Sequence, residues 1–198
     1  MRARWLVAAG RGGEALPQWQ RRRRARGLPE LAAPTDLRGL ATQAEFRLAG
    51  GDREAALADA DGALALCAAS PRRAQLVRSE FDARRVQASA LQALERWPEA
   101  ALAWREALPL AERLFDNDHA ITLAEVRLQA SRAFSEVGDR PAALQALKLA
   151  QAVLARYRNV SVAAVHALGQ AQAALARPPR SDRTERHVTN EADRKSVV

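Results

Sequence analysis

The feature that most constrains this chain is a short motif that returns at a nearly constant interval. Gly51-Asp52-Arg53-Glu54-Ala55-Ala56, Glu95-Arg96-Trp97-Pro98-Glu99-Ala100 and Gly138-Asp139-Arg140-Pro141-Ala142-Ala143 align without a gap. A fainter copy stands at Gly10-Arg11-Gly12-Gly13-Glu14-Ala15. The marker alanines Ala15, Ala56, Ala100 and Ala143 are spaced by 41, 44 and 43 positions. In the three strong copies a second small residue follows seven positions on, at Ala63, Ala107 and Ala150. A period of this size marks a repeated supersecondary unit that cannot bury its own apolar face and needs a neighbour to do so.

The unit reads as two helices joined by a tight turn. Glycine accepts a left-handed backbone after the first helix, and aspartate caps the second. Pro98 and Pro141 fall in the first turn of that second helix, where a missing N–H costs nothing. Before the turn runs an apolar stripe at helical spacing: Ala88, Leu91 and Leu94 in one unit, Ala130, Phe134 and Val137 in the next. Composition agrees. Alanine recurs throughout, aromatics are only 5%, and a sheet protein would need β-branched and aromatic residues instead. The expected fold is all-α, with helices at about 37–49, 53–69, 73–95, 98–115, 120–137, 141–157 and 161–176 and loops at Gly50-Gly51, Ser70-Pro71, Asp116–Asp118 and Arg158–Val160. Between Leu40 and Gly51 two registers one residue apart fit the pattern, and Phe46 fits only one of them.

These residues resemble tetratricopeptide repeats, of the long variety found in kinesin light chains and many bacterial regulators. The best match runs from Asp116-Asn117-Asp118-His119-Ala120-Ile121-Thr122-Leu123 through Ala130, Phe134 and Gly138-Asp139 to Ala143 and Ala150. Ala120 stands where the long family usually has proline. The resemblance covers residues 37–157 well and 5–26 poorly. It implies a right-handed solenoid of helical hairpins whose first helices line a concave groove that holds a peptide or helix of a partner. Carried over by register, the groove positions are Asp82, Arg85, Ser89 and Gln92 in one unit and Glu125, Leu128, Arg132 and Ser135 in the next. Arg85 and Arg132 would hold a carboxylate or backbone carbonyls.

The expected organisation is a partial repeat with an arginine run at 1–30, an array of three hairpins and a capping helix at 31–176, and a disordered tail at 177–198. Ser161–Ala176 carries Ala164, Leu168, Ala171 and Leu175 on one side, like the first helix of a further unit, and Arg177-Pro178-Pro179 ends it. Beyond Arg180 the chain is polar and nearly free of apolar residues. At the front, Met1 falls inside the first helix of its unit, as in a frayed end or the remnant of a longer protein. Pro17 fits if the second helix begins near Glu14.

The formal charge of +8 lies at the ends. Residues 1–30 carry eight Arg against Glu14 and Glu30, the last 22 positions carry six basic and four acidic side chains, and 31–176 hold 17 of each sign. The excess therefore does not form a central binding face. Only Lys148 and Lys195 of the 31 basic residues are lysine, a bias that GC-rich, bacterial coding sequence produces. Arg21, Arg22, Arg23 and Arg24 are candidate anion contacts for nucleic acid or an anionic membrane, but Trp19 alone offers no interleaved stacking platform. Nucleic acid is therefore not the expected partner.

Chemistry beyond binding finds little support. The lone Cys67, among Ala65, Leu66 and Ala68, reads as a small buried hydrophobe and permits no intrachain disulfide. His119, His166 and His187 show no metal-ligand spacing, and Asp116-Asn117-Asp118 lacks the later glycine and glutamate of a calcium loop. Gly10-Arg11-Gly12-Gly13 lacks the Lys-Ser/Thr of a phosphate loop. No nucleophile, base and orienter stand together. The chain is thus expected to be no enzyme, with no metal and no cofactor. No apolar run approaches the ~20 residues of a membrane span, and Trp5–Ala9 is too short for a signal peptide, so a cytoplasmic location is expected. The leading functional expectation is a protein-interaction scaffold. A sensory or regulatory fragment of a bacterial signalling kinase or transcription regulator, and nucleic-acid binding through the arginine run, are the alternatives. The terminal Ser196-Val197-Val198 matches a form bound by strand-adding peptide receptors, at the level of coincidence for three residues. Partner identity and oligomeric state do not follow from the sequence.

Overall fold

The computed structural model describes residues 2–115, 120–157 and 162–177. Among the described residues there are helices and turns and no strand, so the chain is all-α as expected. It divides into two compact units, Met1–Leu114 and Phe115–Val198. The first holds α1 (Arg2–Ala8), α2 (Gly12–Arg24), α3 (Leu37–Ala49), α4 (Arg53–Ala69), α5 (Val77–Ala93) and α6 (Trp97–Leu114). The second holds α7 (Ala120–Glu136), α8 (Arg140–Leu154) and α9 (Val162–Ala176). Helices pair in chain order, α1 with α2, α3 with α4, α5 with α6, and α7 with α8. In addition α3 packs on α5 within the first unit, and α7 packs on α9 within the second.

One turn geometry recurs at all four copies of the motif. Gly10, Gly51, Glu95 and Gly138 have φ of +74°, +91°, +58° and +83°. At each, the next residue's N–H reaches back over five positions: Arg11 to Leu6 O, Asp52 to Arg47 O, Arg96 to Leu91 O and Asp139 to Phe134 O, at 2.8–3.0 Å. The turn residue's own N–H bonds the carbonyl three positions back in every case. This double bond closes orphan carbonyls at a helix end and requires a left-handed residue, which glycine adopts without strain. Glu95 adopts it with a side chain. The following helix is then capped in one of two ways. Asp52 Oδ1 accepts from Ala55 N, and Asp139 Oδ1 from Ala142 N. Where arginine replaces aspartate, it pairs with a glutamate three positions on: Arg11 with Glu14 at 2.7 Å and Arg96 with Glu99 at 3.0 Å.

Five positions after each turn residue comes a marker alanine. Ala15, Ala56, Ala100 and Ala143 are all fully buried, as are Ala63, Ala107 and Ala150 seven positions further. A methyl group at these points lets the two helices of a hairpin approach toward the short end of the roughly 8–10 Å range of helix packing. In the second unit the contact is also polar, because Ser131 Oγ donates to Ala143 O at 2.8 Å inside the core.

A second device joins successive hairpins. The residue two positions after the turn meets the carbonyl end of the next hairpin's first helix. Arg53 donates to Ala93 O at the end of α5 at 2.9 Å, and Arg140 donates to Leu175 O at the end of α9 at 2.7 Å. These cations satisfy carbonyls that have no partner within their own helix and complement its dipole. Gly12 holds the same place in the first hairpin, and there the backbones themselves touch: a Cβ at Gly12 would lie 2.1 Å from Ala49 O at the end of α3.

Several details depart from the expected boundaries. The helix expected over 73–95 is a 3₁₀ turn at Arg73–Gln75 followed by α5, with Arg73 folded over the first turn of α5 onto Glu80 at 2.5 Å. α8 stops at Leu154, and Arg156 and Tyr157 close a tighter turn through i→i+3 bonds. Pro17 lies in the second turn of α2, because that helix starts at Gly12 and not near Glu14. Val137, placed at the end of an apolar stripe, is 38% exposed because α7 ends one residue before it. Phe46 is 2% exposed and meets Trp19 edge-on at a centroid distance of 6.2 Å, which settles the register of α3. The expected loops at Asp116–Asp118 and Arg158–Val160, His119, His187 and the chain beyond Arg177 lie outside the described residues.

Candidate functional site

The first helix of each hairpin supplies the candidate face, and in the first unit it is held by charge. Glu45 on α3 accepts from Arg4 on α1 at 3.3 Å and from Arg85 on α5 at 3.1 Å. One carboxylate thus ties together the first helices of three successive hairpins. Its side chain is 19% exposed, between arginines that are 59% and 34% exposed, so the triad sits at the surface and is partly screened by water. On the same stripe of α5, Asp82 pairs with Arg78 at 3.3 Å, one turn apart. Ser89 follows Arg85 by one turn and is half-buried. Asp82, Arg85 and Ser89 therefore do share one face. Gln92, a turn further, is buried at 8% exposure.

In the second unit the four positions on α7 separate. Glu125 and Arg132 are half-buried, and Arg132 reaches Gln170 on α9 at 3.5 Å. Leu128 is only 1% exposed and Ser135 8%. Leu128 is a core residue and not a face residue, because its apolar side chain gains more from burial than from exposure in a groove. Ser135, at the last turn of α7, gives its carbonyl to the Gly138 N–H of the turn. A shallow depression of about 380 Å³ between α7 and α9 is lined by Arg132, Glu136, His166, Gln170 and Arg177, among others. His166 is exposed at its edge.

Glu45 and Arg4 escaped the sequence reading, although a signal for them was present. Glu45 follows Arg4 by 41 positions and precedes Arg85 by 40, close to the repeat period. Opposite charges recurring at the period of a repeat array mark side chains that stack on neighbouring units.

The arginine run resolves into unlike residues. Arg23 is fixed: its side chain is 11% exposed, it donates to Pro29 O at 2.7 Å and to Asp36 at 3.0 Å, and its guanidinium lies 4.8 Å over the Trp19 ring. It is consumed by the fold and is not an anion contact. Arg24 pairs with Glu30. Arg21 and Arg22 are exposed, with no carboxylate partner among the described residues.

Buried polar groups elsewhere are structural. Gln43, 2% exposed, accepts from Ala32 N at 2.8 Å and donates to Asp59 at 2.9 Å, and Arg47 completes the cluster at 2.9 Å from Asp59. Burial pushes the Asp59 carboxyl above its ordinary value, against the opposing pull of Gln43 and Arg47. Burial likewise raises the Cys67 thiol, with Glu80 adding to the shift. The thiol is 1% exposed, so it acts as a small hydrophobe. The Glu99 carboxyl is held below its usual range by its own backbone N–H and then by Arg96, and Glu14 by Arg11. Both belong to the turns described above. Among the described residues no three His, Cys, Asp or Glu side chains gather as metal ligands, and no helix is long and apolar enough to cross a membrane. The arrangement offers surfaces of alternating charge on first helices. Comparison of the chain with protein-family models, with curated proteins and with solved structures found no match in any of the three.

Proposed function

We propose that the chain is a binding scaffold of tetratricopeptide-like hairpins, acting by holding a protein partner and not by catalysis. The first helices present a polar stripe to an extended peptide or a helix of that partner. The observation that carries this reading is the cross-link of α1, α3 and α5 through Glu45, which sets the first helices side by side and leaves Asp82, Arg85 and Ser89 on one accessible face. Arg53 and Arg140, each bonded to the end of the next first helix, support stacking of hairpins in the manner of a solenoid. Charged side chains on such a face give specificity and on-rate more than raw affinity.

Selection of a displayed random-peptide library on the full chain tests this reading. Ser89→Arg places a bulky cation on the proposed face and keeps Arg85 as the partner of Glu45, whereas reversal of Arg85 would set like charges together. Selected peptides should lose at least tenfold in affinity for Ser89→Arg, and helicity by circular dichroism should show the fold retained, since a long arginine at this half-buried position can carry its charge out to water. Peptides that bind Ser89→Arg and Asp82→Asn as tightly as the parent chain would show that the stripe is not the docking face.

A further inference from the structure

The hairpin of α1 and α2 carries a feature that the peptide-binding reading does not use. Trp5 on α1 is 61% exposed, unusual for the largest apolar side chain. It lines a recess of about 410 Å³ together with Pro17, Gln18 and Arg21 of α2 and the Arg11–Glu14 pair. At the end of α2, Arg21, Arg22 and Arg26 project into solvent, and no carboxylate among the described residues pairs with them. Glu14 is neutralised by Arg11, and Glu30 by Arg24. The recess therefore opens onto a local excess of positive charge.

We propose that this recess and its arginine rim bind single-stranded nucleic acid. One base stacks on Trp5, and the adjoining phosphates lie against Arg21 and Arg22. A flat π-face and a cationic rim in one recess are the parts that an unstacked nucleotide uses. A duplex would hide the base face from Trp5, and a phosphate headgroup by itself offers Trp5 no flat face to stack on. Trp5 and Arg21 lie 16 positions apart, and only the α1–α2 hairpin brings them together. Trp19, the aromatic nearest the run in sequence, is turned inward onto Phe46 and covered by Arg23.

The test uses the full chain and a labelled mixed-sequence single-stranded oligonucleotide of about a dozen nucleotides, the order of a single-strand binding footprint, read by fluorescence anisotropy. Wild-type affinity should fall with rising salt, with a log–log slope of about −1.4 for the two phosphates at Arg21 and Arg22. Trp5→Ala should weaken binding about tenfold, and Trp5→Phe should recover most of it, because either ring stacks. The double variant Arg21→Ser/Arg22→Ser should reduce the salt slope by about 1.4 units. All of these side chains are exposed, so helicity by circular dichroism should match the parent. Absence of binding, tighter binding of the matching duplex, or equal affinity of Trp5→Ala and wild type would each overturn the proposal. So would binding to vesicles of anionic lipid by a chain that ignores the oligonucleotide.

Discussion

Arg23 and Asp36 form an ion pair of 3.0 Å that joins the end of α2 to the start of α3. Asp36 does double duty, since its other oxygen caps α3 by accepting from Gly39 N at 2.9 Å. Arg23 also holds Pro29 O and covers Trp19, so the loop between the two helices is pinned at three points. Arg23→Ala should therefore cost about 1–3 kcal/mol in urea unfolding, the range for charged hydrogen bonds. Arg22→Ala, in an exposed position next to it, should stay within about 0.5 kcal/mol. Equal effects of the two would mean that the run is a uniform solvated helix end.

Glu95 is the one turn residue of the four that is not glycine, at φ +58°. A side chain in the left-handed region costs roughly 1–2 kcal/mol, and the greater freedom of glycine in the unfolded chain returns part of that. Glu95→Gly should raise stability by about 0.5–1 kcal/mol. Gly138→Ala, at φ +83°, should lower it by about 1 kcal/mol. Thermal melts of the two variants give the comparison, and a rise on Gly138→Ala would contradict the shared turn geometry.

Ala100 and Ala143 are each fully buried where the two helices of a hairpin meet. Enlargement to leucine should overpack the contact and cost about 1–3 kcal/mol at either site. At Ala143 the added volume also presses on the bond from Ser131 Oγ, and Ser131→Ala alone should cost about 1 kcal/mol. Unchanged melting temperatures for both leucine variants would show that the alanines do not set the helix spacing.

Asp59 has a pH signature opposite to that of a usual salt-bridged carboxylate. Its folded-state pKa is raised above the ordinary 3.8, chiefly by burial, so the native chain holds this proton more tightly than the unfolded chain. Its contribution to stability is greatest below the unfolded value and declines as pH rises from 3.8 through the raised folded value. Asp59→Asn removes that slope and retains an acceptor for Gln43. Urea midpoints from acid to neutral pH should show the variant gaining on the wild type as pH rises. A variant that instead loses ground would mean that Arg47 and Gln43 outweigh burial.

The sequence by itself determined the hairpins. Turn residue, cap and marker alanine lie within six consecutive positions, and their effects act through backbone geometry and contact within one hairpin, which short-range pattern captures. It also determined that Cys67 is inside, from the apolar residues around it. What only the tertiary structure decided are the partners of polar side chains. Nothing in a helical period says that Leu128 is buried while Arg132 on the same stripe is half-buried and reaches Gln170 of α9, because the two differ by a few tens of degrees of helix rotation set by packing. Arg23 and Arg22 are chemically the same and adjacent, yet one is locked against Asp36 and Trp19 and the other is exposed. Glu45 finds Arg4 and Arg85 about 40 positions away on either side, a distance closed only when neighbouring hairpins stack. The division at Leu114–Phe115 also has no mark in the repeat, since the motif continues across it with the same period. Local rules fix where a helix starts and stops, and the charges on its surface acquire their meaning from which other helix lies alongside.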